Sequence, residues 1–164
     1  MNPLAYLIKT RMKSPIAKEI QILENTMSKI FPELTGETLT IHNTNSSHHV
    51  ASYEWHRGII EVNFKFFEND GENTLPFVLA HETTHSVQWK KRTIPLGERA
   101  CDIFTLARLP ANLYPKKKAF YVKIPKKVLL TDPERIQKTA KRAIELREKG
   151  MRKYILWFEN EIKS

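Results

Sequence analysis

A chain of 164 residues, 41% hydrophobic and 27% charged, has the composition of a folded domain and the length to bury a core. No apolar run approaches the roughly 20 residues that cross a bilayer, and the single cysteine, Cys101, excludes an internal disulfide and points to a reducing, cytoplasmic setting. The net charge of +9 sits at one end: residues 1–115 carry 12 basic and 12 acidic side chains, residues 116–164 carry 15 and 6.

The apolar part of the opening Met1–Lys9 stretch is too short for a secretory signal. Ser14 as N-cap, Pro15 at the first helical position, and Ile16, Ile20, Leu23, Met27 and Ile30 at helical spacing predict a core helix over residues 15–31, ended by Pro32. Thr38–His42 alternates and is rich in β-branched residues, so it reads as a strand. His48 and His49 end a polar loop, which favours solvent exposure over a second metal site. Val50–Trp55 and Ile59–Phe67 read as two strands around His56-Arg57-Gly58. In the second, Ile60, Val62, Phe64 and Phe66 share one face, as in a half-buried antiparallel strand. Asn73 or Thr74 can then cap the next helix.

That helix carries the chemistry. Gly and Pro are absent from residues 77–92, and His81 and His85 fall one turn apart on one face of it. Two neutral imidazoles so placed can take adjacent corners of a zinc tetrahedron. Glu82 sits beside them, where a carboxylate can take a proton from metal-bound water. Downstream, Pro95 can open a second helix running to about Leu109, with Glu98 and Asp102 on one face. Glu98 would then be the third ligand, and Asp102 would accept a hydrogen bond from the free nitrogen of a ligating His. Cys101 reads as a small packed side chain in this helix.

His81-Glu82-x-x-His85 followed by Glu98-x-x-x-Asp102 resembles the paired motif of the gluzincins, the thermolysin-like clan of zinc peptidases. In size the chain is most similar to the minimal archaeal members, the minigluzincins. The resemblance spans about residues 50–110. It implies an α+β, zincin-like fold, with a small, mostly antiparallel sheet packed against the N-terminal helix, the active-site helix and the glutamate helix. It further implies a zinc-dependent endopeptidase whose extended peptide substrate pairs with a sheet edge beside the cleft. Residues 1–115 would form the minimal metallopeptidase domain, and 116–164 a basic extension packing on it. Many gluzincins add a downstream His or Tyr that stabilises the oxyanion. No His follows His85, which leaves Tyr114, Tyr121 and Arg108 as candidates.

In the last third, Ala119–Ile124 reads as a short strand or extended segment. Paired with the cleft edge as a substrate would be, it would inhibit the enzyme, and truncation after Pro115 would raise activity. Thr131 or Asp132 and Pro133 open a last long helix with Ile136, Ala140, Ala143, Ile144, Met151, Ile155, Phe158 and Ile162 on its apolar face, kinked at Gly150. The basic excess over residues 116–153 supports an alternative of a different class, a nucleic-acid-binding protein whose metal only stiffens the fold.

Overall fold

The computed structural model of the chain describes residues 3–9, 14–45, 48–70 and 74–164. It is an α+β fold around a four-stranded mixed sheet. Strand β1 (Ala5–Lys9) leads into helix α1 (Pro15–Ile30), then to β2 (Thr38–Asn43), β3 (Ala51–Glu54) and β4 (Ile59–Val62). The spatial order is β1-β2-β4-β3, with β1/β2 and β2/β4 parallel and only β3/β4 antiparallel.

The mostly antiparallel sheet is therefore corrected: β1 adds one parallel pairing, and β2/β4 is parallel as well. Parallel neighbours need a long crossover, and α1 supplies it between β1 and β2. Ser14 caps α1 by accepting from the Ile16 N–H at 3.1 Å, and Ile16, Ile20, Leu23 and Met27 are buried along its inner stripe. The β3–β4 hairpin closes through Gly58, whose φ of 64° is open to glycine at little cost.

The expected strand over Ile59–Phe67 stops at Val62. Asn63 accepts from the Phe66 N–H at 3.1 Å and caps a short helix, α2 (Phe64–Glu68), which buries Phe64 and Phe67. The aromatic run satisfies a three-residue spacing as well as an alternating one, and the cap decides between them.

Helix α3 (Leu75–Lys90) lies at the centre and is buried on almost every side. Thr74 does not cap it through its side chain, which hydrogen-bonds Asp70 instead; Asn73 lies outside the described residues. Helix α4 (Glu98–Arg108) packs on α3. It begins three residues after Pro95, because Gly97 takes φ 105° and breaks the helical path there.

The C-terminal region forms α5 (Lys126–Thr131), α6 (Pro133–Glu148) and α7 (Tyr154–Glu161). The single long helix is thus two. Gly150 (φ 98°) ends α6, with its N–H bonded to the Arg147 carbonyl and the Met151 N–H to the Leu146 carbonyl. That is the paired closure a left-handed glycine permits after a helix. Residues 119–124 form no strand. Phe120 and Val122 are buried, and with Ile136, Ala140, Ala143, Phe158 and Ile162 they belong to the same core as the sheet and α3. No helix among the described residues is long and apolar enough to cross a membrane.

Candidate metal centre

Six polar side chains of α3 are buried: His81, Glu82, Thr83, Thr84, Ser86 and Gln88. Burial of that kind costs unless partners are supplied, and here the partners hold the helix in place. Thr83 Oγ1 donates to the Leu79 carbonyl at 2.8 Å and meets Tyr6 Oη of β1 at 2.6 Å. Thr84 Oγ1 bonds the Ala80 carbonyl and meets Thr105 Oγ1 of α4, both at 2.9 Å. The sheet and the second helix are thus both keyed to the turn that carries the histidines.

On that turn three atoms converge. His81 Nε2 lies 3.0 Å from Glu98 Oε2, His85 Nε2 lies 3.1 Å from the same oxygen, and the two imidazole nitrogens are 3.1 Å apart. A tetrahedral ion bound at about 2.0–2.1 Å has ligand atoms about 3.3 Å apart. The triangle is only slightly tighter, and a point at bonding distance from all three atoms lies about 1 Å off its plane. The three atoms are therefore spaced to fit a divalent ion.

Both candidate histidines are oriented by a neighbour. Asp102, fully buried, sets Oδ1 at 3.0 Å from His81 Nδ1, and neither atom has another partner among the described residues. Gln88 Oε1 accepts from His85 Nδ1 at 2.6 Å, while its Nε2 donates to the carbonyls of Pro95 (2.5 Å) and Gly97 (3.3 Å). One amide thereby fixes the His85 ring and the loop that delivers Glu98. Sequence reading treats Gln88 only as a helix former; its place three residues after His85 was the available sign.

Cys101 is more than packing. Its thiol donates to the His81 carbonyl at 3.2 Å, and His81, His85 and Cys101 offer ligand atoms all within 4.8 Å of one another, a group able to hold a metal ion. That spread is much wider than the triangle with Glu98, and the thiol is engaged with helix backbone. The tighter set is His81, His85 and Glu98.

The pocket is electrostatically suited to a cation. Burial alone would depress both imidazoles, but the neighbouring Cys101 and the Asp102 contact carry His81 well above its ordinary range, and Cys101 carries His85 to about 9. The His81 contact draws Glu98 down to about 2 against partial burial. Without an ion, the site gathers protons to balance its acidic groups.

Glu82 is raised from its ordinary value, chiefly by burial, with the two histidines opposing. It lines a cleft whose walls are β3, the edge of the sheet, and residues 117–121. One part, about 600 Å³, extends past His49 toward Lys117; the other, about 320 Å³, extends past His85 toward Trp89. His49, Ala51, Glu82 and Tyr121 border both. The loop histidines thus face the cleft, and no second metal group occurs among the described residues.

The three candidate oxyanion donors separate cleanly. Tyr114 is buried and its hydroxyl is committed to the Leu106 carbonyl. Arg108 pairs with Glu33 at 2.7 Å and lies over the Phe31 ring, at the far end of α4 and about 15 Å along the helix from Glu98. Neither is available to the site. Tyr121 is: 61% exposed, its ring stacks on His81 with centroids 5.9 Å apart. Its backbone N–H and that of Val122 donate to Asp102 Oδ2 at 2.5 and 2.9 Å, and the Lys123 N–H donates to buried Glu159 at 3.0 Å. Residues 119–124 are therefore a clamped wall of the cleft. Among the described residues they form no strand and do not pair with β3, so of the two expected forms the extended segment is the one observed, and the expected pairing with the cleft edge is absent.

No family model, no curated protein and no solved structure matches the chain.

Proposed function

We propose that this chain is a zinc-dependent endopeptidase of zincin-like fold, as its resemblance to the gluzincins implies. The observation that supports this best is the convergence of His81, His85 and Glu98 within 3.1 Å of one another at a cleft bordered by Glu82. His81 Nε2, His85 Nε2 and Glu98 Oε2 would hold zinc. When bound, the ion polarises the scissile carbonyl and brings the pKa of a coordinated water to about 7. Zinc suits two imidazoles and one carboxylate.

The remaining work falls to the chain's own groups. An extended peptide adds to the outer edge of β3, which pairs only with β4 among the described residues. Glu82 takes the proton of the attacking water and returns it to the leaving amine. Tyr121 directs its hydroxyl to the developing oxyanion, while Asp102 holds His81 and the Tyr121 backbone at once. Replacing Glu82 with Gln should abolish casein hydrolysis while one equivalent of zinc stays bound, measured by elemental analysis. Hydrolysis at the native rate refutes the reading.

The second reading takes Cys101 as a fourth ligand, closing the site around a structural metal in a basic nucleic-acid-binding protein. Its support is the proximity of the thiol to both imidazoles and the charge of residues 116–153. Cys101→Ala separates the two. Zinc and hydrolysis persist if the chain is a peptidase, and zinc is lost if the thiol closes the site.

A further inference from the structure

The two parts of the cleft differ in charge, and the difference bears on substrate choice. Toward Trp89 the lining is aromatic and acidic. Trp89 stacks on Trp55 with centroids 4.9 Å apart, and Glu98 faces the same space. Toward residues 117–119 the walls carry Lys117, Lys118, His48 and His49 over an apolar floor that includes Val50 and Phe77. Glu82 at the border is the one carboxylate in that lining among the described residues, and His49 Nε2 lies 3.6 Å from Glu61 of β4.

Lys117 is held in place. Its ammonium lies 2.6 Å from Asp70, which is only 3% exposed, and 5.3 Å from the centre of the Phe66 ring. An ammonium has three donors, so this contact orients Lys117 without exhausting it. Lys118 is exposed and makes no ion pair among the described residues. A peptide pairing antiparallel with β3 would run from the Glu54 end toward Ala51, carrying the residues after its scissile bond toward these lysines.

We infer that the pocket between Lys117–Lys118 and His48–His49 binds a carboxylate, the acidic side chain of the substrate residue that follows the scissile bond. This rests on the peptidase reading and names its substrate class. A Glu side chain can lay two methylenes on the apolar floor and bring its carboxylate to the lysines. A Lys or Arg there would meet like charge, so the pocket selects by repulsion as well as attraction.

The test uses the full zinc-loaded chain and quenched fluorescent peptides with amidated C-termini, identical except for Glu, Gln or Lys after the cleaved bond. Cleavage of the Glu peptide should exceed that of the Gln peptide at least tenfold in kcat/KM, with the Lys peptide slowest. Lys118→Glu should cut the Glu-to-Gln ratio to threefold or less and raise the Lys peptide relative to both. Lys117 is left in place, because its ammonium is the cation paired with buried Asp70. The same peptides are titrated by fluorescence polarisation onto zinc-loaded Glu82→Gln, which reads binding without turnover. Cleavage with no preference for Glu overturns the pocket and leaves the peptidase standing. Preferential binding of Glu with no cleavage by the native chain keeps the pocket and overturns the peptidase. A Gln peptide with a free terminal carboxylate forms the last arm. If it matches the amidated Glu peptide, the carboxylate site stands with a chain terminus as its source.

Discussion

Asp102→Asn tests the logic of the site most sharply, because the two residues match in shape and differ in what their atoms can offer. Asp102 Oδ1 faces His81 Nδ1 at 3.0 Å, and Oδ2 accepts two backbone N–H groups. An asparagine has one oxygen and one NH2. If the oxygen stays with the backbone, the NH2 meets His81 Nδ1 and forces the proton to Nε2, the nitrogen needed for metal. If the oxygen turns to His81, the NH2 confronts two buried donors, each costing about 1–3 kcal/mol unsatisfied. The first orientation is cheaper, so the damage falls on the metal. Loss of such an outer partner typically weakens metal binding 10–100-fold, or about 1.4–2.8 kcal/mol. The metal-free fold should lose about 2 kcal/mol, because two charge-assisted hydrogen bonds become ordinary ones. Competition against a fluorescent zinc chelator measures the first quantity and chemical denaturation the second. A zinc affinity within twofold of the native value would refute the assignment of Asp102 as the group that sets the His81 tautomer.

Tyr121→Phe keeps the ring on His81 and removes only the hydroxyl. It should lower kcat about a hundredfold, with zinc content and melting temperature unchanged; an undiminished kcat removes Tyr121 from the reaction. In the metal-free protein, His85 is raised to about 9 and Glu98 lowered to about 2. The His85 contribution is complete below about 6.5 and lost as pH rises through 9; that of Glu98 is complete above about 4.5 and lost as pH falls through 2. The metal-free melting temperature should therefore fall from pH 6.5 to 9, while the increment from zinc, which displaces those protons, should grow. A zinc increment that shrinks over this range contradicts the ligand set. Truncation after Pro115 should abolish folding rather than raise activity. It removes buried Phe120, Val122, Ile136, Phe158 and Ile162, each worth about 1.5–3 kcal/mol, a sum comparable to the whole stability of a domain. A soluble, cooperatively melting 1–115 fragment would refute this.

Local signals were legible wherever one short stretch supplied both the pattern and its boundary. The Ser14-Pro15 start and inner stripe of α1, the Asp132 cap and Pro133 start of α6, and the histidine pair of α3 are of this kind. Misreadings arose where two periods fitted the same residues. Phe64, Phe66 and Phe67 serve a strand or a helix equally, and the Asn63 side chain settled it. Pro95 can start a helix, yet Gln88 holds the Pro95 and Gly97 carbonyls in the preceding loop. Strand β1 escaped notice because a five-residue apolar run has no meaning until β2 lies beside it.

The spacing of His81, Glu82 and His85, and of Glu98 and Asp102, belongs to the sequence alone, since a helix turn converts an interval of four residues into a shared face. What no interval within one helix can express is which faces meet. The tertiary structure brought Glu98 to the two imidazoles, set Cys101 behind them, and turned Arg108 and Tyr114 away. It also stood Tyr121 over His81, on a segment clamped by Asp102 and Glu159. These are contacts between residues 13 to 40 positions apart and more. They depend on the packing of whole helices around one core, a property of the assembled chain that short-range pattern does not carry.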